Sequence, residues 1–213
     1  MKITLKQGQN LFFTSDTHYS HKNICEGTST WSEDNRNKIT RAFGTLEVMN
    51  SVLVDSINRV IQQDDILFHL GDWSFGGFDK ILDFRKRIVC RNIHIVVGNH
   101  DHHIVNNRDN VQELFESVSI GNLELEVKKF DDKYKFFLNH YPTCSWKDMN
   151  RGVIHLFGHV HLPYGLNIMR GKAMDVGVDG NEMEPYSLLK MSQLMRDKPV
   201  CAISLPFDHH VKD

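Results

Sequence analysis

The chain has 213 residues, of which 40% are hydrophobic and 24% are charged, and its formal net charge is -2 at pH 7. This composition supports a buried core and excludes a globally disordered chain. No linker-like segment divides the sequence, and we therefore predict a single domain over residues 1–213. The balanced charge provides no overall attraction to nucleic acid or to an anionic membrane. No apolar run approaches the ~20 residues of a membrane-spanning helix, and no membrane partner is expected.

The cysteines form no C-x-x-C pair, and a chain of this length does not need disulfides to stabilise its fold. The N-terminal sequence MKITLKQGQN also lacks the apolar stretch of a secretory signal peptide. Both observations favour a cytoplasmic protein with reduced thiols. The unusual feature of the composition is its 13 histidines.

Short apolar runs, each closed by a polar cluster, predict buried strands along the chain. In chain order these runs are NLFFTSD, DILFHLGD, IHIVVGNHD, KFFLNH and VIHLFGH. The segment LELEVKK alternates between apolar and polar residues, which predicts a half-buried antiparallel strand. The segment VCAISLP predicts a late strand.

Three stretches between these runs predict amphipathic helices. The first has apolar residues at helical spacing, namely Leu46, Met49, Leu53, Ile57, Val60 and Ile61. The second is GFDKILDFRKRI, and the third is EPYSLLKMSQLMRD with Ser187 as its N-cap. Alternation of strands and helices predicts a mixed α/β fold with central strands, in which ligands gather beyond the carboxyl ends of strands.

The polar clusters that follow these strands contain carboxylate, imidazole and amide side chains. They comprise Asp16 and His18, then Asp72, then Asn99, His100 and Asp101, then His140, and finally His159 and His161. His159 and His161 share a face if the backbone there stays extended. Each cluster alone is compatible with a cap, a turn or a surface histidine, but five clusters in order favour a metal site. These ligand types suit Mn²⁺, Fe²⁺, Zn²⁺ or Ni²⁺.

This ordered set, from Asp16 to His161, resembles the signature of the calcineurin-like metallophosphoesterase superfamily. The small bacterial and phage-type members are more similar than the protein phosphatases, because no arginine follows Asp72 in GDWSFGG. The resemblance implies a four-layered α/β/β/α sandwich with two mixed central sheets. It also implies two divalent ions, with manganese as the first choice and iron, zinc or nickel as alternatives.

The resemblance assigns a role to each residue of the set. One ion would bind Asp16, His18 and His161, the other would bind Asn99, His140 and His159, and Asp72 would bridge both. The implied activity is hydrolysis of phosphate esters, with small or nucleotide phosphodiesters as first choice, by a metal-activated hydroxide. The resemblance makes His100 the general acid, and Asp101 is predicted to orient it.

Residues near these clusters are candidates for binding a small phosphorylated substrate. His21 and Asn23 follow the first ligand pair, Arg41 and Arg36 could clamp a phosphate, and Trp73 or Phe75 could stack on a base. The alternatives are a helix-start loop for the first pair, solvated charges for the arginines and core packing for the aromatic residues. We interpret Asp175 and Asp179 as turn residues, and His69, His94 and His155 as core or sheet-face residues.

Two other functions remain open. A nuclease of the same superfamily usually has a DNA-binding domain and a basic face, neither of which the sequence shows, and nucleic acid is therefore not the favoured substrate. A non-catalytic scaffold that binds metal is the third alternative, and the presence of His100 and of the complete ligand set argues against it. The sequence does not predict an oligomeric state.

Overall fold

The computed structural model describes residues 1–26, 41–106, 111, 113–163 and 165–201. Within these residues, two five-stranded sheets form the centre of the molecule. The first sheet has the order β10-β2-β3-β4-β5, in which every neighbouring pair is parallel except β10 with β2. Its strands are β2 (Leu11–Thr14), β3 (Ile66–His69), β4 (Asn92–Val96), β5 (Ser117–Ser119) and β10 (Tyr186–Ser187).

The second sheet has the order β1-β6-β7-β8-β9 and is also mixed. Its β6–β7 pair is antiparallel, as LELEVKK predicted, and its other pairs are parallel. Its strands are β1 (Lys2–Thr4), β6 (Asn122–Lys129), β7 (Asp132–Asn139), β8 (Ile154–Phe157) and β9 (Ala173–Asp175). Each of the five predicted apolar runs overlaps one of the strands β2, β3, β4, β7 and β8.

The predicted helices are confirmed. They are α2 (Leu46–Val60), α3 (Phe78–Arg87) and α5 (Leu188–Arg196), and two short helices are added, α1 (Lys22–Glu26) and α4 (His102–Asn106). Ser187 caps α5 as predicted, because its hydroxyl accepts a hydrogen bond from the Lys190 N–H at 3.2 Å. Of the late strand predicted for VCAISLP, residues 202–206 lie outside the described residues.

Apolar side chains fill the space between the two sheets, which confirms the predicted sandwich. Phe13 and Phe68 of the first sheet meet Phe136 and Leu156 of the second, and α5 adds Met191 to this core. Helices α2 and α3 cover the other face of the first sheet, where Ile57 and Phe84 pack on Leu67 and Ile93. The outer face of the second sheet is covered by residues 146–153, which include the 3-10 turn Met149–Arg151.

Strands β2, β3 and β4 of the first sheet and β7 and β8 of the second each lead into one of the polar clusters. The contacts described below bring all of these clusters together, and the sandwich therefore places them at one end of its two sheets. None of the described helices has the length and apolarity needed to cross a bilayer.

Candidate metal centre

The loops that follow the strands hold several candidate ligands in left-handed backbone conformations. Asp16, His18, Asp72, His159 and His161 have φ values of 56°, 44°, 58°, 72° and 50°. Such conformations are costly for residues other than glycine and cluster at functional sites. Strand β8 ends at Phe157 and both histidines have positive φ, and the extended backbone that would place His159 and His161 on one face is therefore absent.

The glycines of these clusters allow the loops to pack closely. A Cβ on Gly98 would clash with Asp72 Oδ1, and a Cβ on Gly158 would clash with Ser15 Oγ. Neither position has room for a side chain. The glycine before Asn99 and the glycine before His159 are thus required by the close approach of neighbouring loops.

The candidate ligands form two groups. The first contains Asp16, His18 and His161, and the second contains Asp72, His140 and His159; within each group the ligand atoms lie within 4.8 Å of one another. Asn99 joins the second group, because its Oδ1 lies 2.8 Å from His140 Nε2 and 3.0 Å from His159 Nδ1. The structure therefore brings together all the side chains that the sequence predicted as metal ligands.

Asp72 belongs to the second group but also faces the first. Its Oδ2 is 3.4 Å from His18 Nε2 of the first group and 3.5 Å from His140 Nε2 of the second. Its Oδ1 accepts a hydrogen bond from the His100 backbone N–H at 2.9 Å. One oxygen of a single carboxylate thus faces both groups, which is the position that a bridging ligand requires.

The electrostatics of the first group are unfavourable without a cation. Burial raises the pKa of Asp16 to about 7, and burial also lowers the pKa of His18 well below its usual value. His18 Nε2 and His161 Nε2 face each other at 3.2 Å. A divalent ion would favour the charged carboxylate and neutral imidazoles, and the donor set therefore fits such an ion.

Hydrogen bonds orient two of the candidate imidazole ligands. His140 Nδ1 lies 2.8 Å from the Leu70 carbonyl oxygen, and His161 Nδ1 lies 2.7 Å from Asp179 Oδ2. In both cases Nε2 faces the other candidate ligands. This arrangement is typical of metal-binding histidines, in which a second hydrogen bond fixes the tautomer.

Arg41 makes hydrogen bonds that support the first group, and the prediction that it clamps a substrate phosphate is wrong. The side chain is buried and donates two hydrogen bonds to Asp179, at 2.7 and 2.8 Å. It also donates to the carbonyl oxygens of Asp16 and Thr17. All of these partners belong to the protein, which leaves the guanidinium no face for a substrate. The second predicted arginine, Arg36, lies outside the described residues.

Asp179 is the functional residue that the sequence interpretation missed. It does lie in a 3-10 turn, Val178–Gly180, but its carboxylate also connects Arg41 with His161. Burial acts to raise the pKa of Asp179, but the hydrogen bonds from Arg41 and His161 outweigh burial and hold the pKa below its usual range. No local pattern distinguishes this aspartate from Asp175, whose oxygens accept only backbone N–H groups in the contacts described.

Asp101 organises the backbone and not the His100 side chain, which corrects its predicted role. Its carboxylate accepts N–H hydrogen bonds from Gly98 and Asp72 at 2.8 Å and from Trp73 at 2.9 Å. Burial raises its pKa to about 6. Asp101 therefore joins the loop after β3 to the loop after β4, and it is a positioning residue.

Trp73 belongs to the core, which overturns its predicted role in substrate stacking. The residue is 0% exposed, and its indole N–H donates to the Ile81 carbonyl at 3.3 Å. Its ring packs against Phe84 and Phe115. The alternative of core packing is thus confirmed for this residue.

His21 and His100 lie beside the first group. Their ring centroids are 5.2 and 5.4 Å from that of His18, and both side chains are partly exposed. Asn23 is half-buried in α1, and its contact with a substrate stays a prediction. His69 and His155 are fully buried and His94 stacks on Phe68, as expected for core and sheet-face residues.

No family model matches the chain. Two similar proteins are an uncharacterized protein from Methanocaldococcus jannaschii, 26% identical over 185 residues, and the Gene 66 protein of Mycobacterium phage L5, 26% identical over 199 residues. These alignments cover 84% and 80% of this chain, and 88% and 86% of the relatives. The crystal structure of a protein of unknown function from Aquifex aeolicus has the same fold, with a TM-score of 0.63 and 21% identity. That match covers 88% of this chain and 100% of the Aquifex chain.

Proposed function

We propose that the chain is a dinuclear metal-dependent phosphoesterase. The observation that carries this proposal is the position of Asp72 Oδ2, at 3.4 Å from His18 Nε2 and 3.5 Å from His140 Nε2. A shared carboxylate between two groups of nitrogen and oxygen ligands is the arrangement expected of a two-ion hydrolytic site. The similar proteins carry no functional name, and the proposal rests on the residues alone.

The proposal divides the ligands between two divalent ions in the same way as the sequence analysis. Asp16, His18 and His161 would hold one, Asn99, His140 and His159 would hold the other, and Asp72 would contact both. Bound divalent ions acidify water and neutralise the charge of a phosphate group. The protein contributes the geometry: Asp16 also accepts the His159 N–H at 2.9 Å, which fixes the second group's loop to the first group's carboxylate.

His100 is the candidate proton donor. Its ring lies next to the first group, at 5.4 Å between centroids from His18, but it belongs to neither ligand group. The His100 backbone N–H donates a hydrogen bond to the Asp72 carboxylate at 2.9 Å, which fixes the position of the His100 backbone. A partly exposed imidazole in this position can give its proton to the leaving oxygen of a phosphate ester, which general acid catalysis requires.

The exposure of two members of the second group favours an open site. Asn99 and His159 are exposed, whereas Asp16, His18 and His140 are buried. Small phosphodiesters, including nucleotides, can therefore reach the site without a large rearrangement of the described residues. We place small phosphodiesters first as substrates, and a nucleic acid strand second, because the chain's net charge of -2 does not favour a polyanion.

The test is hydrolysis by metal-stripped protein supplied separately with Mn²⁺, Fe²⁺, Zn²⁺, Ni²⁺ or Mg²⁺. We expect at least one ion to restore hydrolysis of bis(p-nitrophenyl) phosphate, and His100→Asn to lose most turnover while it keeps its bound metal. His94→Asn is the matched control, because His94 lies in β4 with its ring on Phe68. Hydrolysis that survives complete metal removal would contradict the proposal, and faster cleavage of single-stranded DNA than of small diesters at low salt would favour a nuclease.

A further inference from the structure

Phe75 is an exposed aromatic residue beside the candidate proton donor. The residue is 37% exposed, whereas Trp73, two residues earlier, is fully buried. The centroid of the Phe75 ring lies 5.3 Å from that of the His100 ring. Phe75 is thus an aromatic residue that is only partly packed into the protein and that lies next to His100.

The backbone around Phe75 is well fixed. The Phe75 N–H donates to the Tyr19 carbonyl oxygen at 2.7 Å, directly after an isolated β-bridge between Tyr19 and Ser74. The backbone at His21 is also fixed, because the His21 N–H donates to the His18 carbonyl oxygen at 2.9 Å. Both aromatic side chains therefore extend from segments that hydrogen bonds hold in place near the first ligand group.

The rings of Phe75 and His21 stack in parallel. Their centroids are 4.0 Å apart and their planes differ by 9°. His21 covers one face of the phenyl ring, and the exposed part of Phe75 is the part that the imidazole does not cover. Gly76 and Gly77 follow Phe75 in the sequence and add no side chain beside the ring. The Phe75–His21 stack thus borders His100 and leaves part of the phenyl ring exposed.

We infer that the Phe75–His21 stack binds the planar leaving group of an aryl or nucleotide phosphodiester. This inference rests on the proposed function, in which water gives one proton to solvent and the resulting hydroxide adds to phosphorus. The bond to the leaving oxygen breaks, that oxygen takes a proton from His100, and His100 regains a proton from solvent. The first atoms beyond the leaving oxygen then lie near His100, within reach of Phe75. An aromatic ring or a nucleobase stacks on such a surface, whereas a short alkyl group cannot.

The experiment compares two methyl phosphodiesters that both yield methyl phosphate, one with a p-nitrophenyl leaving group and one with a trifluoroethyl leaving group. Each variant is compared with the wild type on the same ester, and the intrinsic reactivity of the esters therefore cancels. We expect Phe75→Leu to lower kcat/KM about tenfold for the aryl ester and less than about twofold for the alkyl ester. Phe75→Tyr keeps an aromatic ring and should therefore retain the wild-type kcat/KM for the aryl ester.

Phe130→Leu is the matched control, because Phe130 is 70% exposed in the turn between β6 and β7. A second measurement, independent of turnover, is calorimetric binding of adenosine 5′-monophosphate and ribose 5-phosphate, which differ by the planar base. Phe75→Leu should weaken binding of the first and leave binding of the second unchanged.

An equal loss on both esters, or no loss on either, would overturn the stacking role and leave the proposed function intact. If the metal-loaded wild type hydrolyses neither ester, the proposed function and the inference both fail.

Discussion

Asp179 Oδ2 lies 2.7 Å from His161 Nδ1, at the side of the imidazole that faces away from the candidate metal centre. A neutral imidazole that donates from Nδ1 has a lone pair at Nε2, and His161 Nε2 is the atom that faces His18. In the proposed metal centre the carboxylate would thus orient His161 as a ligand, and the buried Arg41 holds the carboxylate in turn. Among the described residues, this three-residue connection is found at the first ligand group.

Replacement of the supporting carboxylate should therefore affect the two ions unequally. We expect Asp179→Asn to weaken the ion at Asp16, His18 and His161 by about 10–100-fold, because loss of such a hydrogen bond misorients a ligand. The ion at the second group should stay bound. Calorimetric titration of divalent ions into the metal-free protein, together with the metal content per chain, measures the binding of both ions. Asp65→Asn is the control, since Asp65 is also buried and its oxygens accept the N–H groups of Asn10 and Gln62. Equal weakening of both ions would contradict this role.

The shared position of Asp72 predicts a different pattern. Asp72→Asn removes a negative charge that faces both groups, and we expect both ions to bind more weakly. His18→Ala removes a ligand of the first group, and it should mainly weaken one ion. Metal content per chain after dialysis distinguishes the two variants. If metal content fell by the same amount in both, the bridging assignment of Asp72 would be wrong.

The buried Arg41–Asp179 pair should be important for stability. We expect Arg41→Met to lower the free energy of unfolding by about 3–5 kcal/mol, because it leaves a buried carboxylate without its partner. The matched control is Arg59→Met, because Arg59 pairs with Glu184 at 2.7 Å on the surface and such pairs contribute about 0–1 kcal/mol. Urea denaturation in the presence of a chelator measures the loss of unfolding free energy in each variant. Losses of equal size would show that Arg41 does not neutralise a buried charge.

Burial of His155 predicts a loss of stability in acid. Burial lowers its pKa to about 4, from an ordinary value of 6.5. Below about pH 6.5 the unfolded chain takes up a proton that the folded chain refuses until about pH 4. The contribution of His155 is therefore complete above pH 6.5 and is lost as the pH falls to 4, by about 3 kcal/mol. His155→Gln should show a shallower decline of unfolding free energy with acid in the presence of a chelator. An unchanged slope would refute the assignment.

The sequence predicted the long elements and the first ligands because both depend on local patterns. The apolar runs before Asp16, Asp72 and His140 identified their strands, and Ser187 was identified as the cap of α5 from its position alone. Strands of two or three residues, such as β1 and β10, are too short to show alternation. They form because the neighbouring strand supplies hydrogen-bond partners, which is information from elsewhere in the chain.

The errors concern side chains whose environment is set by distant residues. Arg41 was predicted to face the substrate, but its partner Asp179 lies 138 positions away in the chain. Trp73 follows a predicted ligand, yet its indole turns toward α3 and the core. Asp101 was assigned to its neighbour His100, whereas it binds the backbone of a loop 28 and 29 positions earlier. Sequence patterns identified which residues gather at the site. They did not identify which of those side chains are open to a substrate and which are paired within the protein.

A crystal structure of the Mn²⁺-loaded protein with anomalous scattering data tests most directly whether two divalent ions share the Asp72 carboxylate. We predict two anomalous peaks about 3.5–4 Å apart, one at Asp16, His18 and His161, the other at Asn99, His140 and His159, with Asp72 in contact with both. A single peak, or two peaks of which only one contacts Asp72, would contradict the account.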